Sequence, residues 1–147
     1  MTILLQSVAT VRSPFTKTGP RMSRRDIIAE IAVHDDFASA LNGIEQWSHL
    51  IILFWMHLLV GQPYPLTAHP RQRVDLPEVG LFATRSRERP NPIGLAIVEL
   101  LQRDKNVLIV KALDAYDGSP VLDIKPYDHY DVVSTDLRVP EWWKRLS

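Results

Sequence analysis

Short hydrophobic runs separated by proline, glycine and charged residues dominate this sequence of 147 residues. Runs rich in β-branched and aromatic side chains between turn residues are typical of β-strands. On this pattern we predict strands at residues 3–11, 27–33, 48–59, 79–84, 93–101, 107–113 and 121–125. The run at residues 48–59 is almost continuously hydrophobic, which favours a strand buried on both faces and leaves a core helix as the alternative.

Helical signals are few in this sequence. Asp35 or Asp36 as the N-cap and Gly43 after the segment predict a short helix over residues 36–41. Residues 141–146 predict one further helical turn that packs Trp142 or Trp143. The four prolines within residues 61–78 predict an extended loop.

The order of these elements indicates the fold class. Many strands, few helices and no strand–helix alternation predict an all-β protein, a small closed or nearly closed β-barrel with one or two short helices. The length suits a single domain over residues 1–147, with no additional C-terminal domain. The sequence contains neither the Gly-x-Gly-x-x-Gly fingerprint nor a P-loop, which excludes the usual dinucleotide and nucleoside triphosphate sites.

Composition and charge narrow the classes of function. The sequence has no cysteine, which excludes disulfides, cysteine-ligated zinc and thiol nucleophiles. Its 17 basic and 17 acidic residues balance, so the charge permits a nucleic-acid partner without arguing for one. The longest apolar run, residues 50–60, is too short to span a bilayer, and the first residues lack the features of a signal peptide. We therefore expect a soluble cytoplasmic protein that has no membrane association.

The segment GLFATRSRERPNPIG, residues 80–94, is the richest in polar chemistry. Proline fixes its own φ and disfavours helical backbone in the residue before it, so Pro90 and Pro92 restrict Arg89 and Asn91. We predict a stiff loop that presents a guanidinium and a carboxamide to a ligand. The alternative is a proline-stiffened connection whose arginines are only solvated.

The segment DGSPVLDIKPY, residues 117–127, begins with residues typical of a tight turn. Alternation along the strand that follows places Val121, Asp123 and Lys125 on one face. Asp123 and Lys125 are then close enough to influence each other, and a carboxylate beside a lysine can hold a cation or tune a base. A charged face turned to solvent is the alternative.

Histidine spacing gives little support for a metal centre. His49 and His57 are eight residues apart in the long hydrophobic run, and no third ligand stands at a recognisable spacing. We therefore expect no metal site, and we expect His57 to be hydrogen-bonded in the core or to line a ligand pocket. The sequence also has no Gly-x-Ser-x-Gly segment, so serine hydrolysis is poorly supported.

Together, the segments at residues 80–94 and 117–127 resemble the two signature segments of the TrmO family, also called TsaA-like or YaeB-like proteins. Weaker similarity comes from RSPF at residues 12–15, PR at residues 20–21 and WSHLIILFWMH at residues 47–57. The resemblance covers nearly the whole chain. It implies a β-barrel that forms a homodimer and binds the methyl donor S-adenosylmethionine near the subunit interface, without a metal.

The same resemblance implies an activity, namely N6-methylation of the threonylcarbamoyladenosine beside the tRNA anticodon. Two alternatives stay open, a methyltransferase of the same fold that acts on a small molecule, and a non-catalytic S-adenosylmethionine-binding module. The residues implied to contact the methyl donor are Met22, Ser23, Arg24, His57, Leu58, Arg85, Leu95, Val121, Leu122, Asp123 and Ile124. Those implied to position the acceptor and catalyse the transfer are Arg89, Asn91, Asp123 and Lys125. Asp123 would accept a proton or stabilise the donor's sulfonium.

Overall fold

The computed structural model describes residues 1–146, in which β-strands form the main architecture. The strands are β1 (Ala9–Arg12), β2 (Ile28–Val33), β3 (His49–Trp55), β4 (Thr67–Ala68), β5 (Val79–Gly80), β6 (Ile93–Asp104), β7 (Val107–Lys111) and β8 (Pro120–Pro126). Six of them close into an antiparallel barrel in the order β1-β2-β7-β6-β3-β8, and β4 pairs with β5 in a separate small sheet. The predicted all-β barrel is confirmed.

The barrel core comes from the alternation of side chains along the strands. Gly94, Ala96 and Val98 of β6 face inward, as do Leu50 and Ile52 of β3. The register sets Leu50 opposite Val98 and Ile52 opposite Ala96, so the two strands bury matching inner faces. The prediction that residues 48–59 form a strand buried on both faces is wrong for the outer face. The outward side chains of β3 are only partly buried because no second layer covers them.

Three predicted strands differ in extent from those observed. The N-terminal run forms a strand only from Ala9, and Ile3, Leu4 and Leu5 before it are exposed. The strand predicted at residues 79–84 stops after Gly80 and turns into a 3-10 helix, Leu81–Ala83. The long hydrophobic run leaves β3 at Trp55 and continues as a second 3-10 helix at residues 57–59.

The helical segments are short, as predicted. A 3-10 helix covers Asp35–Leu41, and its N-cap is His34 rather than either predicted aspartate. The helical turn expected near the C-terminus is α1 (Glu141–Lys144), where Trp142 and Trp143 pack edge to face with ring centroids 6.0 Å apart. None of the helices in the described chain has the length and apolar character needed to cross a membrane.

A β-bulge in β8 separates two residues that the sequence pattern placed on one face. Phe54 lies opposite Val121 and Leu53 lies opposite Asp123, so Leu122 is an extra residue in β8. The bulge turns the Val121 side chain into the core, where it is fully buried, and leaves Asp123 on the outer face with Lys125. The predicted grouping of Val121 with Asp123 and Lys125 is therefore wrong, because strict alternation does not hold across a bulge.

Candidate functional site

Residues 84–88 lie between three cavities. The smallest, of about 250 Å³, is called the His57 cavity and is lined by Lys17, Phe54, Met56, His57, Leu58, Leu59, Arg87, Glu88, Asp114, Tyr116 and Ser119. The second, of about 300 Å³, is called the Leu95 cavity and is lined by Phe54, Met56, Thr84, Arg85, Ser86, Arg87, Arg89, Ile93, Gly94, Leu95 and Asp114. The third, of about 550 Å³, reaches Trp142 and Trp143 and is called the tryptophan cleft. Arg87 lines all three, so it stands at their junction.

Arg89 holds this loop together. Its Nη1 donates hydrogen bonds to the carbonyl oxygens of Thr84 at 3.1 Å and Ser86 at 3.0 Å, and its guanidinium lies 5.8 Å from the ring centroid of Phe82. These contacts close the loop, and the guanidinium points back to its own backbone. Asn91 is exposed and lies outside the three cavities within the described chain.

The turn that precedes β8 is tied to the N-terminal RSPF segment and to the loop. Asp117 Oδ1 accepts a hydrogen bond of 2.9 Å from the backbone N–H of Ser13. The ring of Tyr116 packs on Phe15 at 4.6 Å, and its hydroxyl accepts a hydrogen bond of 3.0 Å from Arg87 Nη1. Gly118 has a φ of 84°, a backbone conformation that favours glycine. Three segments that are far apart in sequence therefore meet beside the His57 cavity.

The His57 cavity contains one unsatisfied polar atom. His57 Nδ1 is buried and has no hydrogen-bond partner among the described residues. Leaving a buried polar atom unpaired costs about 1–3 kcal/mol, so a ligand that pairs with it recovers that cost. The cavity also carries apolar surface from Phe54 and Met56 and a carboxylate from Asp114. These cavity residues together suit a ligand that combines an apolar or aromatic part with a hydrogen-bonding part and a positive charge.

Glu88 adds a second carboxylate at the rim of the same cavity. The hydroxyl of Ser86 donates a hydrogen bond of 2.8 Å to Glu88 Oε2. That bond, with a backbone hydrogen bond and the nearby charge of Arg87, holds the pKa of Glu88 below its ordinary value. Glu88 is therefore an anion at neutral pH and partly offsets the positive charge of the loop.

The outer face of β3, β6 and β8 brings together a second group of predicted site residues. Leu95 and Asp123 both lie opposite Leu53, on its two sides, so about 10 Å separates their backbones. Asp123 Oδ2 and Lys125 Nζ form an ion pair of 2.7 Å, which confirms that these two residues influence each other. The hydrogen bond to Asp123 raises the pKa of Lys125, so Lys125 stays protonated at neutral pH.

The structure thus distributes the predicted residues over five places. His57 and Leu58 line the smallest cavity, while Arg85, Arg89 and Leu95 line the one beside it. The other predicted residues lie elsewhere in the described chain: Met22, Ser23 and Arg24 before β2, Asn91 before β6, and Val121, Leu122, Asp123, Ile124 and Lys125 on β8.

Sequence reasoning missed three residues of the site. Arg87 lay in the quoted segment at residues 80–94 but was not singled out, although it lines all three cavities. Asp114 lines two of them, and Tyr116 orients Arg87. The position of Tyr116 directly before the Asp-Gly turn was an available signal. Asp114 gave none, since it follows β7 with no motif around it.

Residues 1–146 contain no group of three or more His, Cys, Asp or Glu side chains that could hold a metal ion.

Comparison with known proteins identifies the family. Residues 10–132 match the model of the tRNA-methyltransferase O N-terminal domain. A probable S-adenosyl-L-methionine-binding protein of Archaeoglobus fulgidus is 44% identical over 138 residues, covering 86% of this chain and 34% of that protein. The tRNA (adenine(37)-N6)-methyltransferase of Escherichia coli is 44% identical over 94 residues, covering 61% of this chain and 40% of that enzyme.

A solved structure shows the same fold. The crystal structure of TrmO from Pseudomonas aeruginosa superposes with a TM-score of 0.75 at 30% sequence identity, covering 97% of this chain and 62% of that one. The chain thus spans about a third to three fifths of the length of these three proteins. The match over residues 10–132, the closed barrel and the shared fold show that this chain belongs to the tRNA-methyltransferase O family, a family of S-adenosylmethionine-dependent methyltransferases.

Proposed function

We propose that this protein binds S-adenosylmethionine and transfers its methyl group to N6 of adenosine 37 of tRNA, with threonylcarbamoyladenosine as the acceptor. The name of the E. coli relative supports the class of reaction. The observation in this chain that carries the proposal is the unpaired, buried His57 Nδ1 in a cavity that adjoins a second one through Arg87 and Asp114. Two adjoining cavities suit a reaction in which a methyl group passes from a bound donor to a bound acceptor.

The residues around the His57 cavity fit the methyl donor. His57 Nδ1 can pair with a polar atom of the donor, while Phe54, Met56 and Leu58 offer apolar surface to its adenine base and to the hydrocarbon part of its methionine. When bound, S-adenosylmethionine supplies a methyl group on a sulfonium sulfur, which needs no further activation. Arg85 and Leu95 in the neighbouring cavity are placed to complete the contacts.

The exocyclic amine of adenosine is a weak nucleophile, so the protein must align it and receive its proton. Asp114 lines both cavities, and its carboxylate can attract the cationic donor or accept the proton. Asp123 forms an ion pair with Lys125, and the two side chains together can bind the acceptor's polar substituent. We assign proton acceptance to Asp114, acceptor binding to Asp123, Lys125 and Asn91, and positioning of the loop to Arg89.

A homodimer explains how Asp123 and Lys125, which lie outside the cavities of their own chain, reach a reacting group. The outer face of β6 exposes Ile93, Leu95 and Ile97 next to the partly exposed outer face of β3. Contiguous apolar surface of this kind is typical of protein interfaces. We propose that two copies pack through this face and complete each other's site, and that the enzyme works in the cytoplasm, where it meets its tRNA.

The test is methylation by the purified protein. Donor binding is measured by calorimetry, and transfer is measured with tRNA that carries threonylcarbamoyladenosine and with tRNA that lacks it. We expect donor binding in both cases and N6-methylation of the modified tRNA only. Donor turnover with small molecules and none with tRNA would favour the small-molecule alternative. Donor binding without any turnover would favour a binding module.

A further inference from the structure

The tryptophan cleft, of about 550 Å³, is the largest of the three cavities, and Arg85 is the one residue of its lining among the donor contacts proposed above. His69 and Arg71 form one wall, Arg85 and Arg87 form the second, and Trp142 and Trp143 of α1 form the third. The family match ends at residue 132, so the third wall belongs to a segment outside the matched region. The volume of the cleft lies within the range of about 300–1,000 Å³ that is usual for ligand sites.

Arginines of the neighbouring loop hold the tryptophan wall in place. Arg71 Nη1 donates a hydrogen bond of 2.7 Å to the carbonyl oxygen of Leu146, and Arg73 Nη1 donates one of 2.7 Å to that of Arg145. Arg145 also pairs with Asp75 at 3.0 Å. The hydrogen bond from Arg73 lowers the pKa of Asp75, so this connection persists at neutral pH. A wall fixed in advance reduces the ordering cost when a ligand binds.

The cleft combines aromatic surface with positive charge that is only partly neutralised. Trp143 leaves 39% of its surface exposed. Arg85 has no hydrogen bond or ion pair with any of residues 1–146, and the hydrogen-bond partner of Arg87 is the neutral hydroxyl of Tyr116. Glu88 supplies a carboxylate at the same rim. The guanidinium groups therefore outnumber the carboxylates along the cleft, although the whole chain has no net charge.

Indole rings beside guanidinium groups match the chemistry of an unpaired nucleotide. Single-stranded nucleic acids bind proteins by stacking bases on aromatic rings while arginines contact the phosphates. Arg85 and Arg87 line both this cleft and the Leu95 cavity, so an RNA strand in the cleft continues directly to the site of methyl transfer. An apolar peptide or a lipid chain would use the tryptophans but would have no need of the two arginines on that path.

We propose that the tryptophan cleft binds an unpaired nucleotide of the RNA substrate, next to the nucleotide that is methylated, with its base on Trp143 and its phosphate near Arg85 and Arg87. The inference rests on the proposed function in one respect, namely that the methyl acceptor is RNA. It adds that the segment after residue 132 supplies a substrate contact that the matched domain does not contain.

The test compares two tryptophans of equal exposure. Trp143 in the cleft and Trp47 outside it are each 39% exposed, so Trp47→Ala controls for the loss of an indole. Binding of a labelled tRNA anticodon stem-loop is measured by anisotropy, with donor affinity measured by calorimetry on the same samples. We expect Trp143→Ala to weaken RNA binding at least about fivefold with donor affinity unchanged, and Trp143→Phe and Trp47→Ala to stay within about twofold of the unaltered protein.

The outcomes separate this proposal from the proposed function. If the unaltered protein binds and methylates the RNA and Trp143→Ala binds it equally well, the cleft proposal is wrong while the function stands. If the unaltered protein binds the donor but no RNA, the proposed function fails, and the cleft proposal fails with it.

A second measurement needs no variant and so does not depend on folding of Trp143→Ala. The stem-loop carries 4-thiouridine in its loop, and crosslinks to the unaltered protein are located by mass spectrometry. Crosslinks within residues 65–72 or 141–146 support the proposal. Crosslinks confined to other segments overturn it.

Discussion

Arg87 donates a hydrogen bond of 3.0 Å from Nη1 to the hydroxyl oxygen of Tyr116, and this bond connects the segment at residues 80–94 to the turn before β8. Because Arg87 lines all three cavities, its position should affect donor and acceptor together.

We expect Tyr116→Phe to lower methyl transfer about threefold to tenfold, the effect of losing one hydrogen bond worth about 0.5–1.5 kcal/mol. Single-turnover kinetics measure the change. Tyr130→Phe, at an exposed position, is the control, and equal rates for both variants would contradict the role given to Tyr116.

Arg89 is expected to act by positioning the loop. Arg89→Ala removes both hydrogen bonds that close residues 84–86, so amide exchange at residues 84–88 should become faster and transfer should fall at least about tenfold. Hydrogen exchange followed by mass spectrometry measures the first effect. Asn91→Ala should leave exchange in the loop unchanged, because the Asn91 side chain is exposed. A slow transfer rate in Arg89→Ala with unchanged exchange would instead indicate direct contact between Arg89 and substrate.

Alanine at the two glycines that begin and end the segment at residues 80–94 should affect the free energy of unfolding to different extents. A Cβ at Gly94 would overlap the ring of Phe54, which lies against it inside the barrel, so Gly94→Ala should lower the free energy of unfolding by about 1–3 kcal/mol. A Cβ at Gly80 meets no atom within 4 Å, and its φ of −62° suits alanine. Gly80→Ala should therefore change stability by less than about 0.5 kcal/mol. Urea denaturation of both variants measures the two free energies of unfolding. Equal midpoints would contradict the prediction and would show that Phe54 moves aside.

The ion pair of Lys125 with Asp123 gives a prediction for high pH. Because folding raises the pKa of Lys125 above its ordinary value of 10.5, the stabilisation is complete below that pH and is lost as pH rises through the folded pKa. The difference in unfolding free energy between the unaltered protein and Lys125→Met should be constant from pH 7 to about 10 and should then shrink. Lys111→Met is the matched control, and a difference that grows with pH would contradict the ion pair.

The outer face of β6 should control association. Ile97 is 40% exposed on this face and Ile28 is 49% exposed on β2, so arginine at each position tests one surface against the other. Sedimentation at micromolar concentration should give a dimer for the unaltered protein and for Ile28→Arg, and a monomer for Ile97→Arg. A monomeric unaltered protein would remove the proposal that two copies share a site.

Local patterns in the sequence predict most of the barrel because alternation and turn residues act over a few positions. β2, β6, β7 and β8 begin and end within three residues of the predicted bounds. The pattern predicts too long a first strand. The strand begins at Ala9, where pairing with β2 and β8 starts, and a local pattern carries no information about pairing partners. It also misses the 3-10 helix after Gly80, where a hydrophobic run continues without strand geometry.

The site is less predictable because its key contacts join distant segments. Proline spacing predicts a stiff loop, but it does not reveal that Arg89 bonds to its own backbone. The tryptophan cleft depends on a hydrogen bond between residues 71 and 146, a separation over which sequence periodicity carries no information. The family resemblance names His57 as a donor contact, and only the structure shows its unpaired nitrogen.

The bulge at Leu122 also determines how β8 tolerates changes in length. Val121 points inward and Asp123 outward, so a chain that lacked Leu122 would run through both residues as a regular strand with every side chain on its present side. Loss of Asp123 would instead leave Leu122 in the outward position and remove the carboxylate that pairs with Lys125. Position 122 is therefore a site where evolution or an engineer can shorten this strand and keep its charged pair in solvent.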